Sequence, residues 1–171
     1  RIRDTTIKFL KHPPRTGWDG IGLIKWPKLS KKLGDFKLKA KPGEILSGQV
    51  LGVVGGNATG KTTFVKMLAG ILEPDEGEIE SEITVSYKPQ YIEVQDDGVV
   101  GDLLQSVEGF DEHMLHTELN APLNLEPLME RELKTLSGGE LQRVAVAECL
   151  LREADLYLLD EPSAYLDANQ R

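Results

Sequence analysis

The sequence predicts an α/β fold in which a parallel core is interrupted by an inserted helical lobe. Three observations predict it. A continuously apolar run, "QVLGVV" (49–54), feeds glycines and then a helical pattern, the order expected of a buried parallel strand and its crossover helix. A second apolar run, "DLYLLDE" (155–161), follows a long amphipathic stretch. Between them, from about Asp97 to Lys134, short helical pieces separated by turns replace the regular alternation.

Taken in order, residues 1–35 read as an irregular lead-in, with the Pro, Gly and Asp punctuation of a loop in "HPPRTGWDG". Residues 36–171 form the main domain. "DFKLKA" alternates apolar and charged residues, as a half-buried strand does, and "KPGE" turns it. After the run at 49–54 comes a helix over "GKTTFVKMLAGIL", broken by Pro74 and Gly77. "ITVSYKPQ" reads as a strand ending at Pro89. The inserted lobe, about 97–136, holds "LLQSV", "DEHMLHTEL" and "LEPLMEREL"; a helix at 138–152 and the strand before Asp160 complete the order. No internal repeat is visible.

With 171 residues and 40% hydrophobic content, the chain can bury one good core and a small appended lobe. It has no apolar run of about eighteen residues, so no membrane insertion is expected. The leading residues lack the apolar block of a signal peptide. One cysteine, Cys149, excludes an internal disulfide, and no C-x-x-C pair offers a zinc or iron–sulfur site. A soluble, cytoplasmic protein is expected. Charge is uneven: residues 1–41 hold twelve Lys/Arg and three Asp/Glu, the remainder eight and twenty-five. The basic segment reads most simply as a solvated face, with an RNA- or protein-facing arm as the alternative.

Gly55, Gly60, Lys61 and Thr62 fit G-x-x-x-x-G-K-[ST], between a predicted strand and a predicted helix. Glycines let backbone N–H groups curl around a phosphate, and the helix N-terminus adds partial positive charge. Lys61 would neutralise the β- and γ-phosphates, and the Thr62 hydroxyl would ligate Mg²⁺. Asn57 and Thr63 in the same stretch are counted with the binding residues. The motif by itself says only that a nucleotide binds.

Asp160 and Glu161 end an apolar strand. Adjacent strand residues face opposite ways, so the two acids take different tasks. Asp160 would hold Mg²⁺ through water, and Glu161 would orient and polarise an attacking water.

Ser137, Gly138, Gly139 and Glu140 make a capping box ahead of a helix with apolar Leu141, Val144, Ala145 and Leu151. Capping explains Ser137 and Glu140 but not the glycines, each of which costs a helix about 1 kcal/mol relative to Ala. A bare backbone and a hydroxyl at a helix N-terminus suit an anion.

"LSGGELQR" resembles the signature of ABC-type ATPases. That resemblance implies two nucleotide-binding domains packed head to tail, Ser137, Gly138 and Gly139 covering ATP held by the partner domain's loop. It makes Gln90, in "YKPQY", the glutamine that touches Mg²⁺ and the attacking water. Asp167, in "SAYLD", would line the domain interface. The implied fold is a P-loop nucleotide-binding domain with a small antiparallel β lobe and an inserted helical lobe. "EPSAYLDANQR", "SYKPQYI" and "GKTTFVKMLAG" are similar to the second such domain of the ribosome-recycling ABC ATPases, also called the RNase L inhibitor family. That likeness implies ATP and Mg²⁺ as ligands and a second ABC domain in the same polypeptide. It also implies a ribosomal subunit and release or initiation factors as partners, and a preceding iron–sulfur domain.

Departures from the pattern set further expectations. Gly56 and Ala58 stand where the family has Pro and Gly; Ala58 is acceptable there only at negative φ, and phosphate binding is expected to be weakened rather than abolished. Leu33 occupies the place of the adenine-stacking aromatic, leaving Trp26 or Phe36 as substitutes. The switch histidine of the family would lie beyond Arg171, since His12, His113 and His116 are all upstream. The chain is therefore expected to be a C-terminally truncated piece, with a nucleotide-holding module without turnover, or the ATP-binding subunit of a membrane transporter, as alternative functions. His113 and His116 read as a solvated helical face.

Overall fold

The computed structural model describes residues 21–79, 82–90 and 98–165. The loop-like "HPPRTGWDG", His12 and Asp167 lie outside the described residues.

Four short antiparallel strands come first: β1 Gly22–Trp26, β2 Leu29–Leu33, β3 Phe36–Ala40 and β4 Gly43–Leu46. Residues 22–33 are thus strands, which corrects the irregular reading of 1–35. Their signal is masked locally because Pro27 interrupts the alternation, while the pairing that forms β1 comes from β4, twenty residues on, across a bulge between Gly22 and Ile24. Ile24 and Ile45 stand opposite each other and are both buried. Trp26 pairs with Gly43, where a side chain is excluded: a Cβ there would lie 2.5 Å from the indole.

The β2–β3 hairpin is two-faced, as the alternation in "DFKLKA" predicts. Lys32 stands opposite Lys37 and Ser30 opposite Lys39 on one side. Phe36 and Leu38 point the other way, onto the start of helix α1 (Lys61–Leu68). The hairpin is fastened to the turn after α1 by Ser30 Oγ donating to Glu76 at 2.8 Å and Lys31 Nζ to Asp75 at 2.8 Å.

β5 (Val85–Lys88) and β6 (Leu156–Leu159) form the parallel pair, with Val85 beside Leu156 and Lys88 beside Leu159. The predicted strand at 49–54 is not formed. Val50 is fully exposed and Val54 is 93% exposed, and no described strand runs alongside the segment. Hydrophobicity marks such a run for burial, but a parallel strand exists only where a neighbour supplies its hydrogen-bond ladder.

The helical lobe runs from α2 (Val100–Gln105) through α3 (Glu112–Met114), a π-helical turn at Leu115–Leu119 and α4 (Asn120–Leu123). Two 3₁₀ turns, Glu126–Leu128 and Leu133–Thr135, lead to α5 (Gly138–Leu151). Its two ends are pinned side by side, Val100 N–H donating to Arg131 O at 3.0 Å and Leu133 N–H to Gly98 O at 3.0 Å. Two apolar clusters divide the molecule. One unites Val100, Leu104, Leu115, Leu125 and Leu128 with Val144, Ala147 and Leu151 of α5. The other joins Ile24, Ile45, Val65 and Leu68 to Leu158 of β6.

α5 is buried on more than one side, because it packs on β5 as well as on the helical lobe. Side chains tie it to both neighbours: Arg143 donates to Leu123 O at 3.0 Å, and Ser86 of β5 donates to Cys149 O at 2.7 Å.

Candidate functional site

The loop before α1 is shaped by two residues at positive φ. Gly60, the helix N-cap, sits at φ 95°, and a Cβ on it would lie 2.8 Å from Phe36 Cζ and 2.9 Å from Leu38 Cδ1. Only glycine fits there, for both conformation and space. Ala58 sits at φ 59°. The condition of negative φ is therefore not met: the loop's curvature demands a left-handed residue at this position, and the alanine accepts it at a cost of about 1 kcal/mol. Lys61 folds over the loop, Nζ donating to Gly55 O at 3.0 Å and Gly56 O at 2.9 Å. Thr59 Oγ1 donates to Gly56 O at 2.9 Å. Gly55, Asn57, Thr62 and Thr63 belong to the same turn and first helical residues.

Of the two aromatic candidates, Phe36 is the one against Gly60. Trp26 is engaged elsewhere, edge-on to Phe64 with ring centroids 5.5 Å apart and its Nε1–H donating to Lys41 O at 2.9 Å. Leu33 is exposed at the end of β2.

The acid pair stands at the C-terminal ends of the parallel strands, where open α/β sheets place ligands. Asp160 N–H donates to Lys88 O at 3.0 Å, continuing the ladder by one residue. This register carries Gln90 beside Glu161, with Gln90 Nε2 donating to Glu161 Oε2 at 3.0 Å across 71 residues of sequence. Glu161 is exposed and lies at φ 48°. Its carbonyl accepts Gln142 Nε2 from α5 at 2.9 Å, and Gln142 is itself buried. Asp160 is buried. The acids thus have different surroundings, as the strand alternation predicts.

Beneath them lies Lys88, fully buried, its Nζ donating to Asp160 O at 3.1 Å. Burial pulls its pKa below the ordinary lysine value, opposed by the charges of Asp160 and then Glu161. Tyr87 next to it has its phenol pKa raised by burial and then by the Asp160 charge.

A divalent cation suits these residues. Asp160 Oδ2 is buried with no hydrogen-bond partner among the described residues. A buried carboxylate oxygen calls for a cation or a cation-bound water to offset its desolvation. Among the described residues there is no group of three or more His, Cys, Asp or Glu able to hold a metal. That agrees with Mg²⁺, which takes one or two carboxylates and completes its shell with phosphate and water. His116 stands 3.8 Å from Glu112, both exposed, as a solvated face would be.

At the head of α5 both halves of the capping box are made. Ser137 N–H donates to Glu140 Oε2 at 2.7 Å, and Glu140 N–H donates to Ser137 Oγ at 3.3 Å. Arg131 bonds the other oxygen of Glu140. The Ser137 N–H foremost, then its hydroxyl and Arg131, hold the Glu140 carboxyl below its ordinary pKa. Tyr165 covers Gly138, its Cγ 3.4 Å from where a Cβ would stand. That is ordinary contact, so none of the described residues bars a side chain at 138. No hydrogen bond among the described residues joins 137–139 to the loop at 55–63.

Sequence reasoning missed three members of this arrangement. Lys88 and Gln142 looked like ordinary polar residues, and nothing local marks a side chain that will be buried against a strand end. Tyr165 lies within "SAYLD", but its contact with Gly138 spans 27 residues. Among the described residues no helix is long and apolar enough to cross a membrane.

Comparison with known proteins follows the same outline. The family described as ABC transporter matches residues 38–164. An uncharacterized ABC transporter ATP-binding protein of Methanocaldococcus jannaschii is 55% identical over 99% of this chain and 30% of its own length. ABC transporter E family member 3 of Arabidopsis thaliana is 46% identical over 81% of both chains. Among solved structures, a complex of archaeal ribosomal stalk protein aP1 and archaeal ribosome recycling factor aABCE1 matches at a TM-score of 0.87 and 52% identity. That match covers 98% of this chain and 33% of the other. This chain therefore spans about a third of the longer proteins it resembles.

Proposed function

This chain belongs to the ABC transporter family and, through an Arabidopsis relative most of whose length it covers, to the E family within it; on that premise we propose that it is one ATP-binding and hydrolysing half of a head-to-tail ATPase. The observation that carries the reading is the 3.0 Å bond between Gln90 and Glu161, which brings two sequence-distant candidates together at the strand ends.

ATP is the substrate. Backbone N–H groups from Gly55 to Thr63, with Asn57 among them, would cradle its phosphates, and Lys61 would exchange its bonds to Gly55 O and Gly56 O for β- and γ-oxygens. Phe36 would stack on the adenine, being the aromatic seated beside the loop. Thr62, Asp160 and Gln90 would hold Mg²⁺, which when bound offsets phosphate charge as it builds in transfer. Glu161, exposed and held by Gln90, would accept a proton from the attacking water.

Ser137, Gly138 and Gly139 would serve the ATP of a second ABC domain. What supports this is that, among the described residues, they share no hydrogen bond with their own loop and Gly138 meets no steric bar to a side chain. Asp167 is assigned to the same interface on the sequence motif alone. In the intact protein, closure of the two domains would power the separation of ribosomal subunits, with release or initiation factors as further partners, in the cytoplasm. The support is the likeness to a structure described as an archaeal ribosome recycling factor.

The test compares ATP hydrolysis by this chain alone with hydrolysis by the intact protein, wild type and Ser137→Arg. Slow turnover alone, and loss in the variant with ATP still bound, are expected. Fast turnover by the isolated chain would overturn the composite site.

A further inference from the structure

We propose that Lys88 is a positioning residue of the nucleotide site: its buried cationic end ties down the backbone of Asp160 and offsets the charge of the acid pair, so setting how tightly the site holds a divalent metal. The inference rests on the reading of Asp160 as a metal-holding residue.

The geometry is unusual for a lysine. Lysine is almost never fully buried unless paired, yet Lys88 is 1% exposed. It lies on β5, whose inward face is Ser86 and Lys88 while Val85 and Tyr87 are only partly buried. An apolar side chain there would leave the Asp160 carbonyl without this donor, so the place calls for a polar end and not for packing alone. Among the described residues no carboxylate lies within ion-pair distance of it, and its hydrogen bond is the one at 3.1 Å to the Asp160 carbonyl. That bond holds its cationic end against the residue that carries the buried Asp160 carboxyl.

Two consequences follow from a positive charge fixed there. First, it anchors the turn after β6 together with the Gln142 bond to the next carbonyl, so both acids have their backbone oxygens held by buried side chains. Second, it competes with a metal for the same negative charge. A cation near a carboxylate lowers the affinity of that carboxylate for a second cation. The site then takes its metal together with nucleotide phosphates, which add negative charge, and resists taking metal without them.

The experiment measures Mn²⁺ binding to the intact protein with the non-hydrolysable analogue AMPPNP, reading free Mn²⁺ by electron paramagnetic resonance. Lys88→Met and Lys88→Gln remove the charge, and Lys88→Arg keeps it; thermal melting checks folding. The neutral variants are expected to bind Mn²⁺ more tightly by a factor of about three or more, with Lys88→Arg close to the parent. Lys88→Gln also keeps a donor for Asp160 O, so it decides the matter if Lys88→Met fails to fold. Unchanged or weaker Mn²⁺ binding in Lys88→Gln, which loses the charge but keeps a donor, overturns the inference, as does tighter binding in Lys88→Arg to the same degree. Asp160→Asn separates the premise: it should weaken Mn²⁺ binding, and if it does not, the reading of the site fails and this inference with it.

Discussion

Two apolar runs lead into the two halves of the site, and they end differently. "LYLL" at 156–159 is a strand in register with β5, and Leu158 lies in an apolar cluster. "VLGVV" at 50–54 is more continuously apolar, yet forms no strand and leaves Val50 and Val54 in water. The sequences differ little in hydrophobicity. What differs is the partner: β6 has β5 beside it and α5 over it, while the earlier run has no described neighbour. Burial is thus a property of the pair and not of the segment, and a partnerless run still ends in a well-formed functional loop, because that loop is held by α1 and the β2–β3 hairpin.

The largest expected effect is at the end of the paired run. Glu161→Gln should cut ATP hydrolysis in the intact protein by 10²-fold or more, with ATP binding kept, as measured by turnover and filter binding. A drop of less than tenfold would show that the strand end does not carry the proton-accepting group. Next, Leu158→Ala should destabilise by about 2–4 kcal/mol in urea unfolding, the cost of emptying a buried site. Val54→Ala should stay within about 0.5 kcal/mol. Equal losses would mean that the two runs are equally buried in solution, and the contrast between them would dissolve.

Smaller again is Ala58→Gly in the loop following the unpaired run. It removes left-handed strain and should stabilise by about 1 kcal/mol, less the added freedom of the unfolded chain; a loss instead would mean that the positive φ is not adopted. The smallest effect is at the head of α5. The Glu140 pKa is depressed in the folded protein, so its contribution is full above the ordinary glutamate value and fades as pH falls through the depressed one. Glu140→Gln should cost about 0.5 kcal/mol at neutral pH and flatten the acid limb of the stability profile. An unchanged acid limb would remove the capping box from the account of α5.

Much of the site was legible in sequence because it is built from local patterns. The G-x-x-x-x-G-K-T spacing announces a loop and a helix start, and Ser137 with Glu140 announces a cap, each within a few residues. The adjacency of Gln90 and Glu161 was expected only through resemblance, since it depends on the register of β5 against β6. The strands at 22–33, the burial of Lys88 and the bond from Gln142 depend on contacts between distant segments. No window of sequence contains both members of such a pair. The positive φ of Ala58 was missed for another reason: propensity favours negative φ for alanine, and the closed curve of the loop overrides it.

One bond from α5 to the turn after β6 joins matters otherwise separate. Ser137 caps the helix, and Gln142, five residues inward, grips the carbonyl of Glu161. A helix rises about 1.5 Å per residue and transmits displacement along its axis as a stiff rod. Whatever presses or pulls on the tip therefore tugs directly on the backbone of the acid, like a bell-rope tied at both ends, with no intervening loop to absorb the slack.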